Sequence, residues 1–177
     1  NFISTPFKNT TGIKTFIVMG CPRGGTSLIA GALHLCDIYM GEFKTSQYED
    51  PEFKVDLPPL DSRVTEIIDT ISKRNKKYKE WGWKLPNSIY YIRSILKHLI
   101  NPHFIFVYRD PIEIARSSAK HDKRDWKNNK DKLIKVASNH TKKVHKFEKE
   151  ISGIYPIITF KLEDIQNNPT TLAHELE

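Results

Sequence analysis

Gly20-Cys-Pro-Arg-Gly-Gly-Thr-Ser27 packs into eight residues the groups that can hold a phosphate. Before it stands Lys14-Thr-Phe-Ile-Val-Met-Gly20, an apolar, β-branched run that reads as a buried strand. After it, Leu28, Ile29, Ala32 and Leu33 share one side of a helix predicted over Thr26 to Leu35. Gly24 and Gly25 let the backbone curl tightly against a ligand. The amides of Gly25, Thr26 and Ser27 would open the helix, where an anion is favoured. Thr26 and Ser27 add hydroxyl donors, and Arg23 adds a planar, permanently charged fork. A glycine turn capped by a threonine is the plainer alternative.

Other strand ends must sit beside this turn for it to become a site. Trp81 to Lys84 reads as a strand halted by Pro86, and His103 to Tyr108 as another, followed by Arg109. Asp110-Pro111 then opens a helix with a capping acid and proline at its first position. Further helices are predicted over 61–72 and 87–99. Leu133, Ala137, His140, Val144, Phe147 and Ile151 mark a long amphipathic one over 130–151, with His140 read as a core histidine. Asp37 to Met40 is a candidate short strand, Tyr155 to Phe160 a later one, and Pro169 starts a last helix. Residues 44–60, rich in polar groups and carrying three prolines, read as a loop or lid. Strands alternating with helices imply an α/β fold of three layers, a mostly parallel central sheet flanked by helices. Ligands of such sheets lie beyond the carboxyl ends of the strands, which gathers the turns after Gly20, Lys84 and Tyr108 on one rim.

Gly20 and Gly25 have the spacing of the P-loop of NTPases, G-x-x-x-x-G-K-S/T, but Thr26 stands where that loop has lysine. This argues against ATP hydrolysis with magnesium. A phosphosulfate tolerates the loss, because a sulfuryl group carries less negative charge and needs no metal clamp. Pro22-Arg-Gly-Gly-Thr-Ser27 resembles the 5′-phosphosulfate loop of sulfotransferases that use 3′-phosphoadenosine 5′-phosphosulfate (PAPS). Tyr108-Arg-Asp-Pro111, with Ser117 eight residues after Arg109, resembles their 3′-phosphate motif. Trp83-Lys-Leu-Pro86 is similar to their strand-end lysine motif, and Phe160-Lys-Leu-Glu-Asp-Ile165 with Asn168-Pro169 and Leu172 to their closing strand, turn and helix. The resemblance runs in order from about residue 14 to 176 and implies a single domain over 1–177 (core 14–170) with a P-loop-NTPase-like fold. It assigns Arg23, Gly24, Gly25, Thr26 and Ser27 to the 5′-phosphosulfate, and Arg109 and Ser117 to the 3′-phosphate. An ion pair for Arg109, and mere smallness for Ser117, are the alternatives. Lys84 and Arg23 are the candidates for charge on the bridging oxygen during in-line transfer. The family's cytosolic small-molecule enzymes place a histidine two residues after the lysine; here that position is Pro86. Tyrosyl-protein and heparan-type members use a glutamate beyond the loop helix, which nominates Glu42 as catalytic base, with Glu49 and Asp50 in reserve.

The implied donor is PAPS, its product 3′,5′-adenosine bisphosphate, and no metal is expected. The acceptor would be a hydroxyl or amine of a carbohydrate, lipid or peptide. Tyr48, Phe53, Trp81, Tyr90 and Tyr91 are open to an acceptor site or to the core. Two readings from other classes stand beside this one: a P-loop nucleotide kinase, and a non-enzymatic polyanion-binding module. The second is motivated by residues 120–149, which hold 11 Lys and Arg against 4 Asp and Glu and so account for the whole net charge of +7. That stretch interleaves few aromatics, so nucleic acid is not expected as a partner. No apolar run approaches the roughly 20 residues of a membrane span. Cys21 and Cys36 flank the loop helix, about 15 Å apart by helical rise, too far to pair. This points to a reducing, cytoplasmic setting. Composition says nothing about the oligomeric state.

Overall fold

The structure, a computed structural model, describes residues 12–43, 45–56, 61–168, 170 and 172. Four strands form one fully parallel sheet in the order β2-β1-β3-β4: β1 Lys14–Gly20, β2 Glu80–Lys84, β3 Pro102–Tyr108 and β4 Ile157–Lys161. Helices cover both faces, as a parallel sheet requires. They are α1 Thr26–Leu35, α2 Asp61–Lys77, α3 Ile92–Ile95, α4 Pro111–His121, α5 Trp126–Ile151 and α6 Leu162–Asn167.

Strand side chains alternate between faces with period two. Ile17, Met19, Trp81, Trp83, Phe104, Phe106 and Ile157 therefore form one core with residues of α2, α3 and α5, including Ile67, Ile92 and Phe147. Phe16, Val18, Ile105, Val107, Ile158 and Phe160 form the other with Ile29, Ala30 and Leu33 of α1 and Ile165 of α6. The α/β three-layer architecture read from the sequence is the one observed. Of its aromatics, Phe53, Trp81 and Tyr91 belong to the first core.

Several elements differ from their sequence expectation. The predicted helix over 87–99 is broken into a 3-10 turn Pro86–Tyr90, the single turn α3 and a 3-10 turn Leu96–His98. Tyr91 causes the break: its hydroxyl donates to the Phe53 carbonyl at 2.8 Å and lies 3.0 Å from Ser88 Oγ, which accepts from the Trp83 indole at 3.0 Å. A buried polar network thus overrides the helical period. Helix α5 begins at Trp126 rather than 130, because Asp125 caps the amides of Lys127 and Asn128. Helix α6 follows β4 without a turn, and the helix expected from Pro169 lies largely outside the described residues.

The described part of 44–60 is a packed strap. Tyr39 and Glu49 make isolated parallel bridges to Trp81 and Lys84, and the Gly82 amide donates to the Tyr39 carbonyl at 2.8 Å. Tyr39 and Glu49 so pair with the open edge of β2 at two points, an edge that would otherwise present unpaired backbone. The segment Asp37 to Met40, a candidate strand, contributes only the bridge at Tyr39. Asp50 then turns inward, fully buried, with Oδ2 2.6 Å from Nη1 of Arg74 on α2. The Arg74 guanidinium also pairs with Glu52 and lies over the rings of Tyr39, Phe53 and Trp81.

Candidate functional site

Order β2-β1-β3-β4 sends the chain from β1 toward β2, then across β1 to β3 and β4. The turns after β1 and β3 leave in opposite directions, and a crevice opens between their ends. A cleft of about 630 Å³ lies there, and both of these turns line it, as does the carboxyl end of β2.

The first wall is the turn between β1 and α1. It is tight for steric reasons that demand glycine. A Cβ at Gly20 would stand 2.6 Å from the Val107 carbonyl oxygen, and one at Gly25 would stand 2.7 Å from Leu162 Cδ1. Arg23 adopts a left-handed φ of 66° and Gly25 one of 94°. The Gly24 amide is consumed within the turn, donating to the Cys21 carbonyl at 2.9 Å. Among the described residues, the amides of Gly25, Thr26 and Ser27 meet no backbone acceptor, which leaves three donors at the positive end of α1. Ser27 Oγ is engaged, donating to the Gln47 carbonyl at 3.0 Å, so this hydroxyl ties the strap to the turn.

The second wall is the turn between β3 and α4. Asp110 caps α4 through the amides of Ile112 and Glu113, and Pro111 occupies the first helical position, as the sequence predicts. This fixes Arg109 at the strand end and Ser117 on the cleft side of α4. Arg109 Nη1 donates to the Arg23 carbonyl at 3.1 Å, and Nη2 lies 3.8 Å from Glu113. Arg23 Nε in turn donates to Ser117 Oγ at 3.2 Å. The guanidinium at 109 thus faces the glycine turn, and the two walls are tied to each other.

The floor is Lys84, only 2% exposed and paired through Nζ with Glu49 Oε1 at 3.0 Å. Burial pushes its ammonium below the ordinary lysine range and the Arg23 charge acts the same way, while Glu49 pulls it back up. Arg23, Gly25, Thr26, Ser27, Lys84, Arg109 and Ser117 all line this one cleft, with Gly24 packed inside its turn.

Glu42 is elsewhere. Its carboxylate accepts from Tyr39 at 3.3 Å, in a separate depression that Lys77, Tyr78 and Glu80 also line, at the amino end of β2. Asp50 is sealed against Arg74. Of the three carboxylates weighed as a base, Glu49 is the one in the cleft. Sequence reasoning passed over Ser118, His121 and Asp122, which line the cleft as well. His121 is four residues after Ser117 on α4, the same helix face, and that spacing was the available signal. Among the described residues no group of three His, Cys, Asp or Glu is arranged to hold a metal ion, and no helix is long and apolar enough to cross a membrane.

No protein-family model matches the chain, and no curated protein matches its sequence. Solved structures do. The chain is similar over 97% of its length to 75% of the sulfotransferase domain from the olefin synthase of Synechococcus PCC 7002, with a TM-score of 0.57 and 13% identity. It is similar over 92% of its length to 97% of a deoxyadenosine kinase from M. mycoides, solved with products dCMP and a flexible dCDP, with a TM-score of 0.53 and 14% identity. An uncharacterized protein from Eubacterium ventriosum aligns over 84% of this chain and 87% of its own, with a TM-score of 0.48 and 16% identity. At such identities the likeness is one of fold. The chain has a P-loop-type α/β fold, distantly similar to both a sulfotransferase domain and a nucleoside kinase.

Proposed function

We propose that this protein is a sulfotransferase that moves a sulfuryl group from PAPS to a hydroxyl or amine of a carbohydrate, lipid or peptide. The observation that carries the reading is the convergence of two anion cradles on one cleft. The free amides of Gly25, Thr26 and Ser27 with Arg23 suit the 5′-phosphosulfate. Arg109 and Ser117, facing that turn from the next strand end, suit the 3′-phosphate.

In the proposed reaction an acceptor oxygen or nitrogen attacks sulfur opposite the phosphate. The new bond to sulfur forms as the bond from sulfur to the bridging oxygen breaks, and the electron pair stays on 3′,5′-adenosine bisphosphate. Lys84 and Arg23 neutralise the charge that grows on the bridging oxygen. Glu49 accepts the proton of the acceptor, because its carboxylate lies in the cleft on Lys84 whereas that of Glu42 does not. No metal has a step to perform, since the sulfuryl group brings too little charge to need one.

A nucleotide kinase is the second reading, favoured by the fold shared with the deoxyadenosine kinase. Calorimetric titration with 3′,5′-adenosine bisphosphate, adenosine 5′-monophosphate and ATP with magnesium separates the two. Preference for the bisphosphate, lost in Arg109→Ala by about tenfold or more, is the expected result. Equal affinity for bisphosphate and monophosphate, or binding of ATP only with magnesium, overturns it.

A further inference from the structure

Helix α5 carries eight lysines and no arginine, and all eight lysines are exposed. Lys135, Lys142, Lys146 and Lys149 share the face opposite the buried Leu133, Ala137, Val144 and Phe147. At the helical rise they form a strip about 20 Å long. Among the described residues no acid neutralises it: the lysines in ion pairs are Lys14 with Glu80 and Lys84 with Glu49, neither on α5. The later acids of α5 are spent elsewhere. Glu148 accepts from Tyr108 at 2.7 Å and lies 3.0 Å from His145, and Glu150 lies 2.7 Å from Arg93. Asp131, at the amino end, is the acid that shares the face of the strip. Lys146 instead has Lys142, Lys143 and Lys149 three or four positions away, an arrangement of like charges that weakens a helix. An anionic partner would remove that repulsion.

We propose that this face of α5 is a docking strip for a linear acidic polysaccharide, whose carboxylate or sulfate groups lie along the lysines. The inference goes beyond the sulfotransferase reading and stands without it. The composition of the strip selects the partner. Lysine is a hydrated point charge that attracts an anion without fixing its geometry, which suits a flexible, hydrated polymer. Ser138 and Asn139 fill the gap between Lys135 and Lys142 and offer a hydroxyl and an amide to sugar hydroxyls. A nucleic acid finds no stacking platform there, since Phe147 is buried and Trp126 is half-buried under Arg116. A bilayer finds little to bury: the apolar stripe of α5 faces the core, and Val136 is its one exposed large apolar residue. The same lack of an apolar centre disfavours a folded protein as partner.

The test titrates the protein with polygalacturonate, dextran sulfate, neutral dextran, a mixed-sequence DNA duplex and phosphatidylserine vesicles, at about 50 mM and about 200 mM salt. Both acidic polysaccharides should bind, neutral dextran should not, and Kd should weaken by about tenfold or more at the higher salt. One variant combines Lys135→Gln, Lys142→Gln, Lys146→Gln and Lys149→Gln. A control combines Lys73→Gln, Lys76→Gln, Lys79→Gln and Lys97→Gln, which removes the same charge from exposed positions off α5. The strip variant should lose about tenfold or more in affinity and much of the salt dependence, while the control loses far less. It should melt no lower than wild type, because it removes repelling pairs, so lost binding is not lost fold. Ser138→Ala with Asn139→Ala should weaken the polysaccharides severalfold and leave duplex DNA unmoved. Equal losses in the two lysine variants, or no binding of either acidic polysaccharide by wild type at the lower salt, overturn the inference. Tighter binding of DNA or vesicles than of both polysaccharides also overturns it, by giving the strip to another partner. None of these outcomes touches the bisphosphate titration that tests the sulfotransferase reading.

Discussion

Gly41→Ala is the substitution through which the strap can be interrogated most sharply. Gly41 has φ of 98°, and a Cβ there would stand 2.0 Å from Asp50 Oδ2 and 2.4 Å from Asp50 Cγ. Asp50 cannot swing aside cheaply. It is fully buried, its Oδ1 accepts from the Glu52 amide at 3.0 Å, and its Oδ2 faces Arg74. An alanine at 41 must therefore pay twice. A left-handed backbone conformation adds about 1–2 kcal/mol, and disruption of a buried ion pair adds about 3–5 kcal/mol. The total, roughly 4–7 kcal/mol, is a large part of the stability of any domain. For a chain of this length it lowers Tm by roughly 10–25 °C.

The mechanism, rather than the size of the loss, is tested by a double-mutant cycle with Asp50→Ala, read by chemical denaturation. Asp50→Ala alone should cost about 3–5 kcal/mol by leaving Arg74 buried with only Glu52. With the carboxylate gone, Gly41→Ala meets only the Cβ of residue 50, at 3.0 Å, and should add little beyond the backbone term, about 1–2 kcal/mol. The two substitutions should fall short of additivity by about 3–5 kcal/mol. Additive effects, to within about 0.5 kcal/mol, refute the steric account. Glu49 directly precedes Asp50, so Gly41→Ala should also loosen the carboxylate on Lys84.

Lys84→Met should raise Tm by a few degrees, because burial outweighs Glu49 in setting the state of Lys84 and the glutamate left behind is about one-third exposed; a fall in Tm would contradict this balance. Burial pushes the imidazoles of His103 and His140 below their usual range. The unfolded chain therefore binds protons that the folded chain refuses, and stability should fall as pH drops through the histidine range. Urea midpoints measured at about pH 7.5 and pH 5.5 check this, and His140→Gln should shallow the slope. Burial raises the Cys21 thiol to about 11, whereas Cys36 is exposed. Iodoacetamide on the native protein should add one label by mass, at Cys36, and two only after unfolding.

Local periodicity made most of the fold legible. β1, β2, β3, α1 and α4 are written in short apolar runs, a glycine turn and the Asp110-Pro111 cap, all of which act within a few residues. The packed identity of the strap was not legible, because Asp50 is polar, and its partner Arg74 lies 24 residues away on α2. The break at Tyr91 was hidden for the same reason: its partners Phe53, Ser88 and Trp83 meet only in the folded chain. Which of Glu42, Glu49 and Asp50 reaches the cleft turns on register along β2. Tyr39 pairs with Trp81 and Glu49 with Lys84, so ten residues of strap advance only three along the strand. Residue counting alone cannot find which glutamate returns to the rim.

Register also explains how the cleft does without a lysine in its loop. Thr26 occupies the loop position of the NTPase lysine, is buried, and sets its methyl where a Cβ on Gly20 would clash. The cation comes instead from the neighbouring strand, where Lys84 is opposite Val18, two residues below the end of β1. An ammonium there stands under the turn rather than at its mouth, paired with Glu49. A lysine in the loop would follow the outermost phosphates of a nucleoside triphosphate. On the proposed reading, a buried lysine beneath the loop meets a single bridging oxygen, and its carboxylate partner takes the proton of the acceptor. The fold is common to sulfotransferase and kinase, so discrimination between them falls to these few positions: threonine at 26, lysine at 84 on a glutamate, and arginine at 109 facing the turn.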